Sequence, residues 1–235
     1  MSHKVLVPFE IPDAEPLSPR LVRALAAVDV VVLGHYALPE QTPPEAAREQ
    51  FLDDAERELA DLARPLVEAG ATVTTRVVFG RDRVKTIDRI AVEEGCDAEL
   101  DPAPVDRVDR VLVPLVDADN LDRLAEFVAA LVDEAGTEIT LFHVVEEGET
   151  VAAEEAMLED ARERLVERGF DPERVDVAVV EAADHDEEIL RQATGYDAVV
   201  MDETEPSVPE RIFGTLPDRI AERTGDPVIV VRRNV

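Results

Sequence analysis

Two open parallel sheets in tandem, each with helices on both faces, are what this chain predicts: an α/β protein with a doubled architecture. Strand-like and helix-like segments alternate from end to end, the pattern that generates parallel sheets joined by right-handed crossovers. The alternation also repeats itself. Lys4-Val5-Leu6-Val7-Pro8 is answered by Arg110-Val111-Leu112-Val113-Pro114, Leu33-Gly34-His35 by Leu141-Phe142-His143, and Gly95-Cys96-Asp97-Ala98 by Gly195-Tyr196-Asp197-Ala198. Landmarks matched in one order mark a tandem duplication of a unit of roughly 100 residues. Domains are therefore expected over 1–104 and 105–235, and the hydrophobic content of 46% is enough for a core in each.

In the first copy, Val5–Pro8 is a short apolar run closed by proline, which suits a buried strand. Ser18 followed by Pro19 signals a helix start. Val30–Leu33 is a β-branched second strand. Thr42-Pro43-Pro44-Glu45 predicts an N-cap at Thr42 with proline at the first helical position and a capping-box Glu45. Behind it Leu52, Ala55, Leu59, Leu62 and Leu66 form one apolar stripe that ends at Gly70. Val73–Phe79 is a third strand, Val84, Ile87, Ile90 and Ala91 mark a third helix, and Cys96–Leu100 is a fourth strand. Asp101-Pro102-Ala103-Pro104 is a short, stiff connector.

The second copy repeats this order. Val111–Leu115 leads to a helix with Leu121, Leu124, Ala125, Val128, Leu131 and Val132 on one face. Ile139–Val145 precedes a helix carrying Leu158, Ala161 and Leu165. Val175–Val180 precedes Asp184-His185-Asp186-Glu187, an N-cap with an acid three residues on, and a helix with Ile189, Leu190 and Ala193. Ala198–Met201 is the fourth strand. Only here does more follow: a loop from Asp202, a helix carrying Ile212, Phe213, Leu216 and Ile220, and a last strand, Val228–Val231.

Net charge is -30, from 54 acidic and 24 basic residues, and Lys4 and Lys85 are the only lysines. The acids are spread over every expected helix, so this is a folded acidic surface and not a disordered tail. Such a chain repels itself in dilute buffer, and concentrated salt relieves this because the Debye length falls to ~3 Å at 1 M. Acid-rich, lysine-poor and without tryptophan, the composition is that of a halophilic protein. It argues against nucleic-acid binding, whose affinity comes from phosphate neutralisation. No run of 18 apolar residues and no signal-like N-terminus is present, so no membrane association and a cytoplasmic location are expected. Cys96 stands alone and is expected as a small buried filler.

Several stretches together resemble the universal stress protein family. They are the Val-Leu-Val-Pro opening strands, Leu141-Phe142-His143-Val144, Gly195-Tyr196-Asp197-Ala198-Val199-Val200-Met201, Phe213-Gly214-Thr215-Leu216, and Asp226-Pro227-Val228-Ile229-Val230-Val231. The resemblance implies Rossmann-like domains of the adenine-nucleotide alpha-hydrolase type, the first copy truncated before its last helix and strand. It also implies a stress-associated regulatory or interaction role. Many family members resemble ATP binders carrying Gly-x-x-Gly, nine residues, then Gly-Ser/Thr. Glycines there let backbone N–H groups approach phosphate, and the following helix N-terminus favours anions.

This chain departs from that pattern. After Met201 it reads Asp202-Glu203-Thr204-Glu205, acids in the places of both early glycines, and the spacing to Gly214 is one residue short. A carboxylate about 4 Å from a phosphate charge opposes binding by ~4 kcal/mol at an effective dielectric of 20. The expectation is a degenerate nucleotide site, no resident cofactor and no catalytic residue. Were ATP or AMP to bind, the resemblance would place it at Asp117, Val144, Met201, Gly214 and Thr215, at the carboxyl ends of the second copy's strands.

His35 and His143 end equivalent strands and are expected as packed or capped side chains; a zinc site would need further ligands at coordinating spacing. His185, among acids, reads as a solvated helix start. Ser207 has no matched base, so nucleophilic chemistry is not expected. The acidic pairs Asp53-Asp54 and Glu146-Glu147 read as salt-adapted surface. In the resembling family the last strand commonly pairs two units edge to edge. Val228–Val231 is therefore expected to pair with its counterpart in a homodimer or other protein partner, or to cover an edge of the first copy. Light scattering after size exclusion in concentrated KCl, with and without residues 227–235, tests the inter-chain version; an unchanged monomer in both removes it.

Overall fold

The computed structural model describes residues 3–105, 108–118, 120–131, 136–146, 151–203 and 215–233. The chain divides into two units, one running to Pro102 and one over Ala103–Arg233. The boundary falls inside the proline-flanked tract, where locked φ angles prevent either neighbouring element from continuing.

In the first unit the apolar runs become parallel strands β1 (Lys4–Ile11), β2 (Asp29–Ala37), β3 (Thr72–Gly80) and β4 (Ala98–Asp101), in the order β3-β2-β1-β4. Helix α1 (Pro19–Ala24) begins where Ser18 Oγ accepts the Leu21 N–H at 3.3 Å. Helix α2 (Pro44–Ala69) starts one residue later than the capping-box pattern predicts. Pro43, not Thr42, is its N-cap, and no side chain caps it. The reason is steric: a residue before proline is pushed out of the α region, so Pro43 stays extended (ψ 132°) and Pro44 takes the first helical position. Gly70 then ends α2 at φ 102°, a conformation that only glycine adopts without strain.

Strand alternation sends successive β2 side chains to opposite faces. Gly34 lies against Leu59 of α2 on one face. On the other, Leu6, Val31 and Leu33 pack with Ile87, Ile90 and Ala91 of α3 (Arg83–Glu94) and with Cys96. Cys96 is fully buried just before β4 and fills space, as its position suggests. Val84 is not part of the buried stripe: it is 58% exposed, and Thr86 takes the inward position on that turn.

The second unit carries β5 (Arg110–Pro114), α4 (Leu121–Leu131), β6 (Glu138–Val145), α5 (Ala152–Glu167), β7 (Val175–Glu181), α6 (His185–Ala193) and β8 (Ala198–Asp202). The extra ending adds α7 (Leu216–Thr224) and β9 (Val228–Val231). The strands are parallel in the order β9-β8-β5-β6-β7. α6 and α7 cover a core of Leu112, Phe142, Val144, Met201, Leu216 and Ile220 among others, while α4 and α5 pack on each other. The expected helical positions Val132, Ile212 and Phe213 lie outside the described residues.

The duplicated aspartate has a structural explanation. Asp97 Oδ2 accepts the Lys4 N–H at 2.8 Å, and Asp197 Oδ2 accepts the N–H groups of Asp109 and Arg110 at 2.8 and 2.9 Å. Each carboxylate satisfies backbone donors at the start of its unit's first strand, groups that a strand entering from a loop would otherwise leave unpaired. Among the described residues no helix is long and apolar enough to cross a membrane.

His35, at the carboxyl end of β2, is 1% exposed and neither ring nitrogen has a hydrogen-bond partner. Gly80 and the first turn of α3 at Thr86 pack beside it, and Glu10 sits in register on β1. Burial pushes the imidazole pKa below its ordinary 6.5; Arg83 acts in the same direction, against Glu10 and Asp82. A folded pKa below the unfolded one means the unfolded chain binds the proton better, so this contribution to stability is present above pH 6.5 and lost as pH falls. Urea unfolding followed by circular dichroism in concentrated KCl should show stability dropping between about pH 7.5 and 5.5, and His35→Leu should flatten that slope. An unchanged slope in the variant would assign the effect to other groups.

Candidate functional site

Because β8 lies between β5 and β9, the residues that follow these three strands converge at one edge of the second unit. This is where open α/β sheets place ligands. β5 delivers the loop containing Asp117, β8 ends on Asp202, and β9 is followed by Arg232 and Arg233. Asn120, whose carbonyl accepts the first backbone bond of α4 from Leu124, adds a side-chain amide.

These groups close on one another. Arg233 Nε donates to Asp202 Oδ2 at 2.9 Å and Arg233 Nη2 donates to Asp117 Oδ2 at 2.9 Å. Asn120 Nδ2 donates to the other Asp202 oxygen at 2.7 Å. Glu203 accepts the Arg233 N–H at 3.2 Å and lies 3.3 Å from the Arg232 guanidinium. Asp202 is 7% exposed, and a carboxylate so buried must be paired and hydrogen-bonded to remain charged. Burial raises its pKa above the ordinary aspartate value, while Asn120 and Arg233 pull it back toward ionisation.

The helix that follows β8, α7, begins at Thr215. Asp218 Oδ2 accepts both the Thr215 N–H at 2.9 Å and its hydroxyl at 2.6 Å. The helix N-terminus, with its unpaired N–H groups and positive dipole end, is thus already served by a carboxylate of its own first turn.

The structure separates the sequence-predicted positions. Asp117 stands in the cluster at the strand ends. Val144 and Met201, 6% and 2% exposed, pack in the core beneath α6 and α7. Thr215 is present but engaged with Asp218. Gly214 lies outside the described residues. Val116, next to Asp117, is 42% exposed and faces away from the core. Sequence reasoning missed Arg233 and Asn120. Arg233 could have been found from strand direction, since a residue just after a last parallel strand must emerge at the same edge as Asp202.

Elsewhere, His143 Nδ1 donates to the Leu115 carbonyl at 2.7 Å, and its Nε2 lies 3.5 Å from Glu154. It is thus a capped histidine, unlike the unpartnered His35. His185 is 37% exposed at its helix start. In the first unit Glu10 is exposed at the end of β1, and Arg83 of α3 reaches Asp101 at 3.7 Å. Among the described residues no group of three or more His, Cys, Asp or Glu is placed to hold a metal ion.

Doubly wound parallel units with a polar cluster at the switch point define the Rossmann-like α/β class. Comparison with known proteins narrows it. The model of the universal stress protein family matches residues 107–232, and the chain belongs to that family. A universal stress protein from Archaeoglobus fulgidus DSM 4304 superposes at TM-score 0.67 with 21% identity, over 98% of this chain and 96% of that one. A functionally unknown protein from Pseudomonas aeruginosa PAO1 superposes at TM-score 0.54 with 16% identity, over 98% and 92%. At these identities the likeness concerns the fold. No curated protein matches the chain in sequence.

Removing the guanidinium tests the cluster. Arg233→Ala leaves Asp202 buried without its cation and should cost about 1–3 kcal/mol in urea unfolding, below the range for fully buried pairs because Arg233 is partly exposed. Adding Asp202→Asn to that variant should recover part of the loss, because the group left behind is then neutral. A double variant no more stable than Arg233→Ala would count against the pairing as a stabilising contact.

Proposed function

We propose that this protein is a non-catalytic universal stress protein module with a regulatory or interaction role, and that its second unit has a closed nucleotide site. The observation carrying this reading is the Arg233 guanidinium held between Asp117 and Asp202. Asp117 stands one position past the place, Val116, where the family resemblance puts an acid suited to ribose hydroxyls, and here it accepts from an arginine of the same chain. The acid at Asp218 occupies the α7 N-terminus where a phosphate would need free N–H groups. A triphosphate entering would have to displace a charge-assisted arginine pair and also meet Asp202, Glu203 and Asp218. Those costs act together and oppose binding in concentrated salt as well, since close pairs are screened far less than distant charges.

A second reading is an adenine-nucleotide-binding switch in the second unit. It is favoured by Thr215 heading the helix that follows β8 and by Gly214-Thr215 in the sequence. Calorimetric titration with ATP and AMP, with and without Mg²⁺, in concentrated KCl separates the two. The closed-site reading expects no saturable heat up to millimolar ligand. Saturable binding abolished by Gly214→Glu would establish the switch, and phosphate release by the same protein would point to an enzyme.

A further inference from the structure

β3 is the edge strand of the first unit: it pairs with β2 along its full length and with no other strand among the described residues. None of its nine residues is buried, whereas β2 beside it is buried from Val30 to His35. An open parallel edge carries unpaired N–H and C=O groups and is a template for another strand. Its counterpart in the second unit, β7, is partly covered at its start. There Arg162 of α5 donates to the Val175 and Pro172 carbonyls at 2.9 Å. β3 has a groove of about 510 Å³ along Thr75–Phe79 instead, walled by the first half of α2 and by Arg89 and Ile90 of α3.

The wall contributed by α2 presents Glu45, Arg48, Leu52 and Glu56, spaced three and four residues apart and so on one helix face. Arg48 is distinctive. Among the described residues every other arginine and lysine is engaged in an ion pair, a hydrogen bond or a ring contact, and Arg48 has none. In a chain of net charge -30, a cation left unpaired beside an open strand edge marks a place for an incoming carboxylate. Arg76 and Arg89, also in the groove, are already paired with Glu93 and Glu94. Glu45 and Glu56 flank Arg48 and repel further acids. The groove therefore asks for a single acidic side chain among apolar or hydroxyl-bearing neighbours.

We propose that this groove is a docking site for an extended segment of a partner protein, added as a strand along β3. One glutamate or aspartate of that segment pairs with Arg48, and β-branched neighbours face Leu52, Phe79 and Ile90. Main-chain bonding to the edge supplies affinity, and the side-chain positions on either side of the strand supply selection. A second copy fits less well: its own β3 carries no acid to offer Arg48 and would bring Arg76 to the groove instead. This surface gives the interaction role proposed above a location, yet its test is independent of nucleotide binding.

The probes are capped, fluorescein-labelled peptides Thr-Val-Glu-Val-Thr, Thr-Val-Lys-Val-Thr and hexaglutamate, read by anisotropy in KCl and by amide hydrogen exchange of the full chain. The single-acid peptide should bind saturably, slow exchange within Thr75–Phe79, and exceed both others. Arg48→Glu, a change at an exposed side chain without contacts to lose, should weaken it about tenfold, the effect of one charge-assisted pair, and should favour the lysine peptide. The proposal is overturned by absence of saturation to millimolar peptide, by binding that leaves β3 amides unprotected, or by equal binding to the Arg48→Glu variant. Protection of β3 without peptide, rising with protein concentration alongside a doubled mass in light scattering, would make the occupant a second copy and reject the partner segment.

Discussion

The insertion of β8 between β5 and β9 is the constraint on which the chemistry of the second unit depends. Parallel pairing fixes where each strand stops, and so it fixes which residues meet: Asp202 is in register with Val231, and two residues beyond Val231 stands Arg233. Once these ends are side by side, a buried acid and a nearby base are bound to pair, because an unpaired carboxylate at that depth is costly. The first unit, whose fourth strand β4 is followed by no equivalent helix and strand, has no arginine arriving by the same route. There Asp101 is reached by a longer contact from Arg83 of α3, at 3.7 Å.

The fold was largely legible because its determinants are local and repeated. Apolar runs four to eight residues long, proline after them and glycine at helix ends are written into consecutive positions, and the second copy checks the first. Errors arose where two local rules competed. At Pro43-Pro44 the restriction on a residue preceding proline overrode the capping preference of Thr42. At Val84 an apolar residue followed the helical period only loosely and turned outward. The site was less legible for the opposite reason. Asp117, Asn120, Asp202 and Arg233 are brought together by strand order, which no window of sequence contains. The family resemblance also names Val144 and Met201, whose side chains pack in the core.

The acidic surface and the ion pairs are two parts of one electrostatic design. Most described arginines lie next to acids on the same or an adjacent helix, as with Arg164 between Asp160 and Asp122, or Arg219 and Arg223 against Asp186 and Glu187. Individually such exposed pairs contribute little. Collectively they disperse part of a large like-sign charge. Against that background a side chain such as Arg48, left without a counterion, is more informative than any of the paired ones.

The aspartate staples link residues far apart in the chain: Lys4 with Asp97, 93 positions apart, and Asp109 with Asp197, 88 apart. Closing such long loops is entropically slow, and the reward arrives only with the final contact. As the chain is synthesised, each copy must therefore wait for its fourth strand before its first is secured. The leading copy can reach that state while the trailing one is still being translated. A gene that doubles this unit thus yields a polypeptide assembled in two successive instalments.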